Sequence, residues 1–382
     1  MACAVGAIWL GHPTVQWWIH EGFHPEVMAI PFLIGTFLYG ERMIAERAAG
    51  AISRRSRWGF VVCIALTISW KEDLALALVG MGLVWVIRRQ WWLAKWVIGG
   101  SVAWFVVFGI YLVPHFAHGS VFGGTYDLGT TPGQIVKNAL LHPSRVAHKL
   151  DQNDALGYGR NLSEPFAFVS LLSPSTLLIG FPQWFTNIIS ASAFTWALDN
   201  HYQAVPVASL AISLVEGLRG AYRRRLWLGQ LVLVLALALS LAYTTWYGPT
   251  PLSHKYKYSW PAAGPDIAVK RAAIARIPSG QGVSADYLMV PQLTRRQYIY
   301  KFPNPWRNAY YGTSFTAVGN PAKVQWVVVA TPLLDDRDKG LLQSIAGSGE
   351  FSVVVNRQGV VLLHRVKPPG HGTAKIVDPP QK

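Results

Sequence analysis

Charged side chains are scarce in this sequence: they make up 14% of its 382 residues, whereas soluble domains carry about 25%. The deficit is concentrated in the first two thirds of the chain, which excludes an ordinary soluble protein and predicts a membrane domain followed by a soluble tail. Cysteine is scarcer still. Cys3 and Cys63 are the only two, and each lies in an apolar stretch, so the sequence predicts neither a disulfide nor a cysteine metal site.

Most of the charged residues are basic: the sequence has 34 lysines and arginines but 19 acidic residues, which gives a net charge of +15. In a soluble protein this excess would indicate a nucleic-acid partner. Here the basic residues cluster in short loops between apolar runs, as they do in membrane proteins with positively charged cytoplasmic loops. The sequence therefore predicts membrane lipids as partners and no nucleic acid.

Residues 1–247 are predicted to form a transmembrane domain of about eight segments, several of them shorter than the roughly 20 apolar residues of a full span. Arginine-rich loops after residues 44, 87 and 218 are predicted to be cytoplasmic. The long loop at residues 114–165 is then extracytoplasmic, with an amphipathic helix at 132–150. Residues 166–190 are predicted to form two short helices around a turn at Ser173 and Pro174. The other apolar runs are residues 27–44, 58–70, 74–87, 91–113, 202–218 and 226–247.

The tail is predicted to be a small extracytoplasmic α/β domain, residues 248–367, followed by a disordered Pro/Gly/Lys segment, residues 368–382. It contains no glycine-rich phosphate loop and no cofactor fingerprint. A Val-rich run at 324–330 is typical of a central buried strand, and residues 356–359 are predicted to be a hairpin turn. Helices are predicted at 265–277 and 335–346, and further strands at 282–285, 297–302, 351–355 and 360–366.

Three polar islands lie at the ends of apolar runs, at residues 20–26, 71–73 and 199–202. The topology predicts that all three lie at the extracytoplasmic face, where they could form one site. Ionisable groups at membrane depth are costly, and they usually mark a functional site. The candidate catalytic residues are the carboxylates of Glu26, Glu72 and Asp73. The candidate substrate-binding residues are His24, Lys71, His201 and Tyr202, together with Arg145 and Arg160 of the long loop, since arginine binds phosphate well.

Structural explanations stay open beside this functional one. Lys71 would offset the cost of burying a neighbouring carboxylate, and Pro25 with Glu26 suits the first turn of a helix. His201 and Tyr202 would serve as interfacial anchors. The residue types His24, Glu26, Asp73 and His201 suit zinc or manganese. No local ligand spacing supports a metal site, so none is assigned, and a divalent metal cofactor is left open.

Short motifs occur along nearly the whole chain, and their order is more specific than any one of them. They are F-H-P-E at 23–26, K-E-D at 71–73, V-P-H-F at 113–116, L-H-P at 141–143, L-S-P at 172–174, H-Y at 201–202, V-S-A-D at 283–286, Q-L-T-R-R at 292–296 and Y-K-F-P at 300–303. This ordered set resembles a bacterial and archaeal family of multi-pass membrane proteins, a domain of unknown function within the GT-C glycosyltransferase superfamily.

The resemblance implies an α-helical polytopic bundle of GT-C type, followed by an extracytoplasmic α/β domain, in the bacterial cytoplasmic membrane. GT-C enzymes transfer a sugar from a polyprenyl-phosphate donor at the outer face, typically with an acidic residue of the first external loop as base. This chain departs from that pattern, because it begins after the place where that loop would lie. We therefore expect a glycosyltransferase-like protein of the cell envelope, degenerate or lacking its N-terminal part, with a lipid-linked sugar as donor.

Two other functions stay open, and so does the question whether the chain is an enzyme. Short, broken helices with buried charges also mark lipid or solute transporters, although no internal inverted repeat is visible in the sequence. A non-catalytic cell-envelope scaffold would use the tail to bind a partner, and its polar islands would then tolerate substitution.

Overall fold

The computed structural model describes residues 2–117, 126–254, 265–307 and 319–368. The chain divides into two compact units. The first contains the helices up to residue 247, and the second contains the helix that begins at residue 265. Residues 369–382, most of the tail predicted to be disordered, lie outside the described residues.

Regular structure in the first unit is helical, as the predicted membrane domain requires. Among the described residues, four helical segments are long and apolar enough to cross a membrane: Pro25–Ala48, Trp91–Phe116, His201–Arg224 and Leu226–Tyr247. The other helices described are shorter than a full span, and the total of about eight segments stays a prediction. The α-helices are α1 (Ala2–Gly11), α2 (Pro13–Glu21), α3 (Pro25–Ala48), α4 (Arg54–Trp70), α5 (Leu74–Ile87), α6 (Trp91–Trp104), α7 (Val113–Ala117), α8 (Pro132–Leu141), α9 (Pro143–Gln152), α10 (Ala155–Ser163), α11 (Phe181–Ile188), α12 (Ala204–Arg224) and α13 (Leu226–Tyr247).

Two of these helices, α5 and α12, carry the core of the first unit. Leu78, Met81 and Trp85 of α5 are fully buried. In the span His201–Arg224, which contains α12, 72% of the most apolar 18-residue stretch is buried. In the spans Trp91–Phe116 and Leu226–Tyr247, only 17% of the corresponding stretch is buried. Those two helices therefore present apolar side chains outward, as lipid-facing helices do.

Polar side chains close the junction between α3 and α4. Glu46, near the end of α3, accepts hydrogen bonds from the backbone N–H of Ser53 (2.8 Å) and from the Ser56 hydroxyl (2.9 Å). The Ser53 hydroxyl caps α4 by accepting from the Ser56 backbone N–H (3.2 Å). The short connection makes the two helices an antiparallel hairpin.

Residues 164–188 are more irregular than the two predicted short helices. They form 3-10 turns at Glu164–Phe166, Val169–Leu172 and Pro174–Ile179, followed by α11. Proline cannot donate the backbone hydrogen bond that would continue a preceding helix, and Pro174 and Pro182 each stand in the first turn of a new one. The amphipathic stretch at 132–150 is likewise divided into α8 and α9, with Pro143 opening α9.

This irregular segment packs backbone to backbone against the core helices. A Cβ on Gly80 of α5 would overlap the carbonyl oxygen of Leu178, and a Cβ on Gly217 of α12 would lie 2.5 Å from that of Val169. Non-helical backbone at membrane depth is tolerated where it is buried in protein, and the two glycines provide that burial.

Within its described residues, the second unit contains a mixed five-stranded sheet with strand order β2-β1-β3-β5-β4. Its strands are β1 (Val283–Ala285), β2 (Ile299–Lys301), β3 (Trp326–Ala330), β4 (Phe351–Arg357) and β5 (Val360–Arg365), and its helices are α14 (Pro265–Ala275) and α15 (Asp336–Gly347). β1 is parallel to β2 and β3, while β5 is antiparallel to β3 and β4. This arrangement confirms the predicted α/β domain.

β3 is the central strand, as its sequence predicts, and both of its faces are buried. Trp326, Val328 and Ala330 share a core with Ala273 of α14. The alternate residues Val327 and Val329 share a second core with α15 and Phe351. The predicted hairpin turn also forms: Gln358 and Gly359 both adopt positive φ angles, 50° and 76°, as a tight two-residue hairpin requires.

Asp286, the last residue of the V-S-A-D motif, is buried at the end of β1. Its carboxylate accepts hydrogen bonds from the backbone N–H groups of Leu288 (3.0 Å), Met289 (3.2 Å) and Ala330 (2.6 Å). These bonds tie β1 to the end of β3, so the role of Asp286 is structural.

Candidate functional site

Three helices of the first unit begin at the same place. α3 begins after His24, α5 begins after Asp73, and α12 follows a 3-10 turn that starts at His201. The Lys71 ammonium pairs with the Glu26 carboxylate and lies 3.2 Å from Asp73 Oδ2. We call His24, Glu26, Lys71, Asp73 and His201 the amino-end cluster. Each of the three predicted polar islands contributes to it.

The two histidines of the amino-end cluster lie against each other. Their imidazole rings stack with centroids 3.6 Å apart and planes 9° apart. One nitrogen of His24, one nitrogen of His201 and a carboxylate oxygen of Glu26 all lie within 4.8 Å of one another. Glu26 is buried and both histidines are partly buried, so the group opens to one side.

The two carboxylate oxygens of Asp73 differ in their contacts. Oδ2 faces Lys71, whereas Oδ1 is buried and has no hydrogen-bond partner within the described part of the chain. Tyr126 of the long loop shares a hydrogen bond with Thr186 and lies within electrostatic reach of Asp73. Burial, reinforced by the nearby Asp73 charge, raises the pKa of Tyr126 to about 12, so its hydroxyl stays protonated at neutral pH.

Two predicted site residues lie at the edge of the amino-end cluster. Glu72 is directed toward the π-helical turn Phe105–Leu112, where a Cβ on Gly109 would lie 3.5 Å from its Cγ. The Tyr202 ring packs against Phe194, with centroids 5.6 Å apart, and against His201. Glu72 therefore stands apart from the ion pairs of Lys71, and Tyr202 supports His201.

A buried hydrogen-bond network holds the turn that carries His201. Gln203 Nε2 donates to the carbonyl oxygens of Thr195 and Ala197, both at 2.9 Å. Its Oε1 accepts from the Tyr158 hydroxyl and from Asn187 Nδ2 (3.3 Å). Burial raises the pKa of Tyr158 well above its usual value, which keeps the phenol a donor.

The two arginines predicted to bind phosphate lie in different surroundings. Arg145 lines an external cavity of about 420 Å³ together with His148 and Lys149. Arg160 is 63% exposed and pairs with Glu164 at 3.5 Å, and that carboxylate also accepts a hydrogen bond from the Tyr243 hydroxyl. Arg145 can thus meet a ligand from solvent, whereas Arg160 pairs with Glu164 in the 3-10 turn that follows α10.

Sequence reasoning missed a second polar cluster toward the carboxyl ends of the same three helices. Arg88 lies 2.9 Å from Glu41 Oε2 and 3.4 Å from Glu216 Oε2, and the Trp85 indole donates to Glu41 Oε1 (3.0 Å). We call Glu41, Arg88 and Glu216 the carboxyl-end cluster. Its members follow Glu26, Asp73 and His201, respectively, by the same interval of 15 residues.

That interval is the signal that could have found the carboxyl-end cluster, since one charged residue recurs at one spacing in three separate apolar helices. Fifteen residues of α-helix extend about 22 Å and return to within about 60° of the same face. α3, α5 and α12 therefore run in the same direction, with one polar cluster at their beginnings and another about four turns further along. Tyr126 offered no comparable signal, because it lies in a loop without periodicity.

Comparison with known proteins gives a family and no activity. No curated protein and no solved structure matches the chain. The family model described as "Predicted membrane protein (DUF2079)" matches residues 1–362. This match covers nearly the whole chain and both units, and the protein therefore belongs to this family of predicted membrane proteins.

Proposed function

We propose that this chain is a membrane glycosyltransferase of the GT-C type, which transfers a sugar from a polyprenyl-phosphate donor at the extracytoplasmic face of the bacterial cytoplasmic membrane. The observation that carries the proposal is the amino-end cluster, where two carboxylates and one ammonium meet at the beginnings of α3 and α5, beside the histidine that precedes α12. The ordered motifs support it, since F-H-P-E and K-E-D supply four of the five cluster residues.

Glycosyl transfer needs a base for the acceptor and a clamp for the departing phosphate. The acceptor oxygen attacks the anomeric carbon, the bond from that carbon to the phosphate oxygen breaks, and polyprenyl phosphate leaves with the bonding electrons. Asp73 suits the base, because its Oδ1 is available to take the hydroxyl proton. Lys71 suits the clamp, assisted by the positive ends of the α3, α5 and α12 dipoles. Glu26 holds Lys71 in place, and Glu72 is the alternative base.

The depth of the cluster suits a lipid-linked donor. The two polar clusters are about 22 Å apart along the helices, which is less than the roughly 30 Å of the hydrocarbon core. With the carboxyl-end cluster at the cytoplasmic interface, beside the arginine-rich loops, the amino-end cluster lies just below the opposite surface. A donor phosphate reaches it there while the isoprenoid chain stays among the lipid tails. Arg145 would contact the phosphate or the acceptor, and the second unit would orient a cell-envelope acceptor.

The first test is selective binding of the leaving group. Purified protein in lipid nanodiscs would be titrated with polyprenyl phosphate and, separately, with the polyprenol of the same length, and binding followed by native mass spectrometry. The proposal predicts a preference for the phosphate that Lys71→Met removes, and transfer of radiolabelled sugar from polyprenyl-phosphate hexoses to a membrane extract. Equal binding of the two lipids together with no covalent product would overturn it.

A transporter is the second candidate, because polar clusters lie at the beginnings of the same three helices and toward their carboxyl ends, and irregular backbone packs between α5 and α12. Broken helices around a central site are typical of transporters. Uptake of labelled polyprenyl-phosphate sugar into proteoliposomes without a covalent product would favour it. A scaffold, the third alternative, would retain its function after substitution of Lys71 and Asp73.

A further inference from the structure

We propose that His24, Glu26 and His201 bind a divalent transition-metal ion, and that zinc is the ion that suits them best. The proposal adds a metal centre to the amino-end cluster and does not depend on glycosyl transfer. Two imidazoles and one carboxylate are an established ligand set of catalytic zinc, which keeps its fourth position for water or substrate.

The ligand atoms are close to the positions that coordination requires. All three lie within 4.8 Å of one another, whereas ligand atoms around tetrahedral zinc, with bonds of about 2.0–2.1 Å, are about 3.4 Å apart. Coordination therefore requires the two imidazoles to rotate out of their stack. His24 and Glu26 come from the start of α3, and His201 from the turn before α12, so the ion would join the two helices.

The placement of the ligands also suits a functional ion. Glu26 is almost fully buried, whereas both histidines are partly exposed, so one side of the site remains open for a water molecule or a substrate oxygen. The Gln203 network fixes the turn that carries His201. The network thus holds the backbone that carries His201, although none of its bonds reaches the imidazole itself.

Lys71 is the natural competitor of the ion. Its ammonium pairs with both Glu26 and Asp73, and it therefore supplies the positive charge of the cluster when no metal is bound. A dication bound by Glu26 repels the ammonium, which then remains with Asp73 alone. The Glu26–Lys71 ion pair and the bound metal thus exclude each other, and replacement of Lys71 by an uncharged residue should raise the affinity for zinc. A purely structural ion pair predicts no such gain.

The test uses the full-length chain, prepared without a histidine tag in lipid nanodiscs and stripped with a chelator. Zinc binding is measured by isothermal titration calorimetry, and the metal content per chain by mass spectrometry. We expect about one zinc per chain. His24→Ala, His201→Ala and Glu26→Gln should each weaken binding by at least the roughly 10–100-fold that loss of an outer-shell partner costs. The matched control is His142→Gln, at an exposed histidine between α8 and α9, and it should bind zinc as the wild type does.

Cobalt gives an independent readout of the ligands. Co²⁺ in the wild type should show the intense visible absorption of a four-coordinate site, and His201→Ala should abolish it. Lys71→Met should bind zinc more tightly than the wild type. If that variant does not fold, the two histidine variants still test whether the site binds zinc. Zinc affinity equal in the wild type and in the triple variant His24→Ala/Glu26→Gln/His201→Ala would overturn the proposal. Because the readout is binding, an absence of glycosyl transfer would leave it standing.

Discussion

The Lys71 ammonium donates a hydrogen bond to the Glu26 carboxylate and so joins the start of α5 to the start of α3. Only 9% of the Glu26 side chain and 28% of that of Lys71 are exposed. A pair buried to this degree adds little stability over an apolar pair of the same shape, but its disruption leaves an uncompensated charge. The pair therefore specifies how the helix starts meet.

Lys71→Met should lower the free energy of unfolding by about 3–5 kcal/mol, because Glu26 and Asp73 then face each other without a cation. Adding Glu26→Gln should restore part of the loss, with a coupling energy of about 0.5–3 kcal/mol. Tryptophan fluorescence during denaturation in detergent, with chelator present, measures both. Lys95→Met, at an exposed lysine, is the control. Strict additivity of the two substitutions would contradict the ion pair.

Arg88→Met should destabilise the first unit more than any other single loss of an arginine at that end of the helices. Arg88 bridges Glu41 of α3 and Glu216 of α12. Its removal leaves the partly buried Glu41 carboxylate without a cation and leaves Glu216 with only the 3.7 Å pair to the exposed Arg219. Arg88→Lys should recover only part of the loss, because an ammonium lacks the planar fork. Thermal unfolding in detergent tests this, with the exposed Arg224→Met as control. Equal melting temperatures for Arg88→Met and Arg224→Met would contradict the bridge.

Gly80→Ala should destabilise the protein by about 1–3 kcal/mol, the usual cost of overpacking a core. The added methyl group would overlap the carbonyl oxygen of Leu178 and lie 2.8 Å from its carbon, and backbone cannot rotate away as a side chain can. Gly99→Ala in α6 is the matched control, since nothing lies within 4 Å of its Cβ position. It should be neutral or stabilising, by up to about 1 kcal/mol. The opposite order of melting temperatures would refute the close approach.

Local patterns were sufficient to predict most elements. The apolar runs locate α3, α5, α12 and α13 to within a few residues, and the Val-rich run locates β3. The prediction that the polar islands lie close together came from the excess of basic residues in cytoplasmic loops and from the positions of the helix ends. The segment at 164–188 could not be predicted in this way, because 3-10 turns and short helices share an apolar composition. Its conformation depends on contacts with Gly80 and Gly217, which are distant in sequence.

Glu350→Ala should destabilise the second unit by about 3–5 kcal/mol, because it leaves a buried guanidinium unpaired. Glu350 is fully buried and lies 2.6 Å from Arg365, which is 7% exposed. Hydrogen exchange in the full-length chain, followed on peptides of β4 and β5, reports the loss. Asp336→Asn is the control: Asp336 is fully exposed in its pair with Lys339, and such pairs contribute about 0–1 kcal/mol. Faster exchange in both variants alike would argue against the buried pair.

Asp73 and Glu72 are adjacent in sequence but differ in direction, and this difference separates the candidate bases. Asp73 contacts Lys71 and retains a buried oxygen without a partner among the described residues, whereas Glu72 is directed toward Gly109. Asp73→Asn should therefore lower the rate of sugar transfer by about 10²–10⁴-fold, the usual contribution of a general base. Glu72→Gln should retain most of the rate. Both variants keep Glu26 and Lys71, so a rate difference between folded variants reports chemistry. An equal rate in Asp73→Asn and the wild type would remove Asp73 from the reaction, and a large loss in Glu72→Gln alone would assign the base to Glu72.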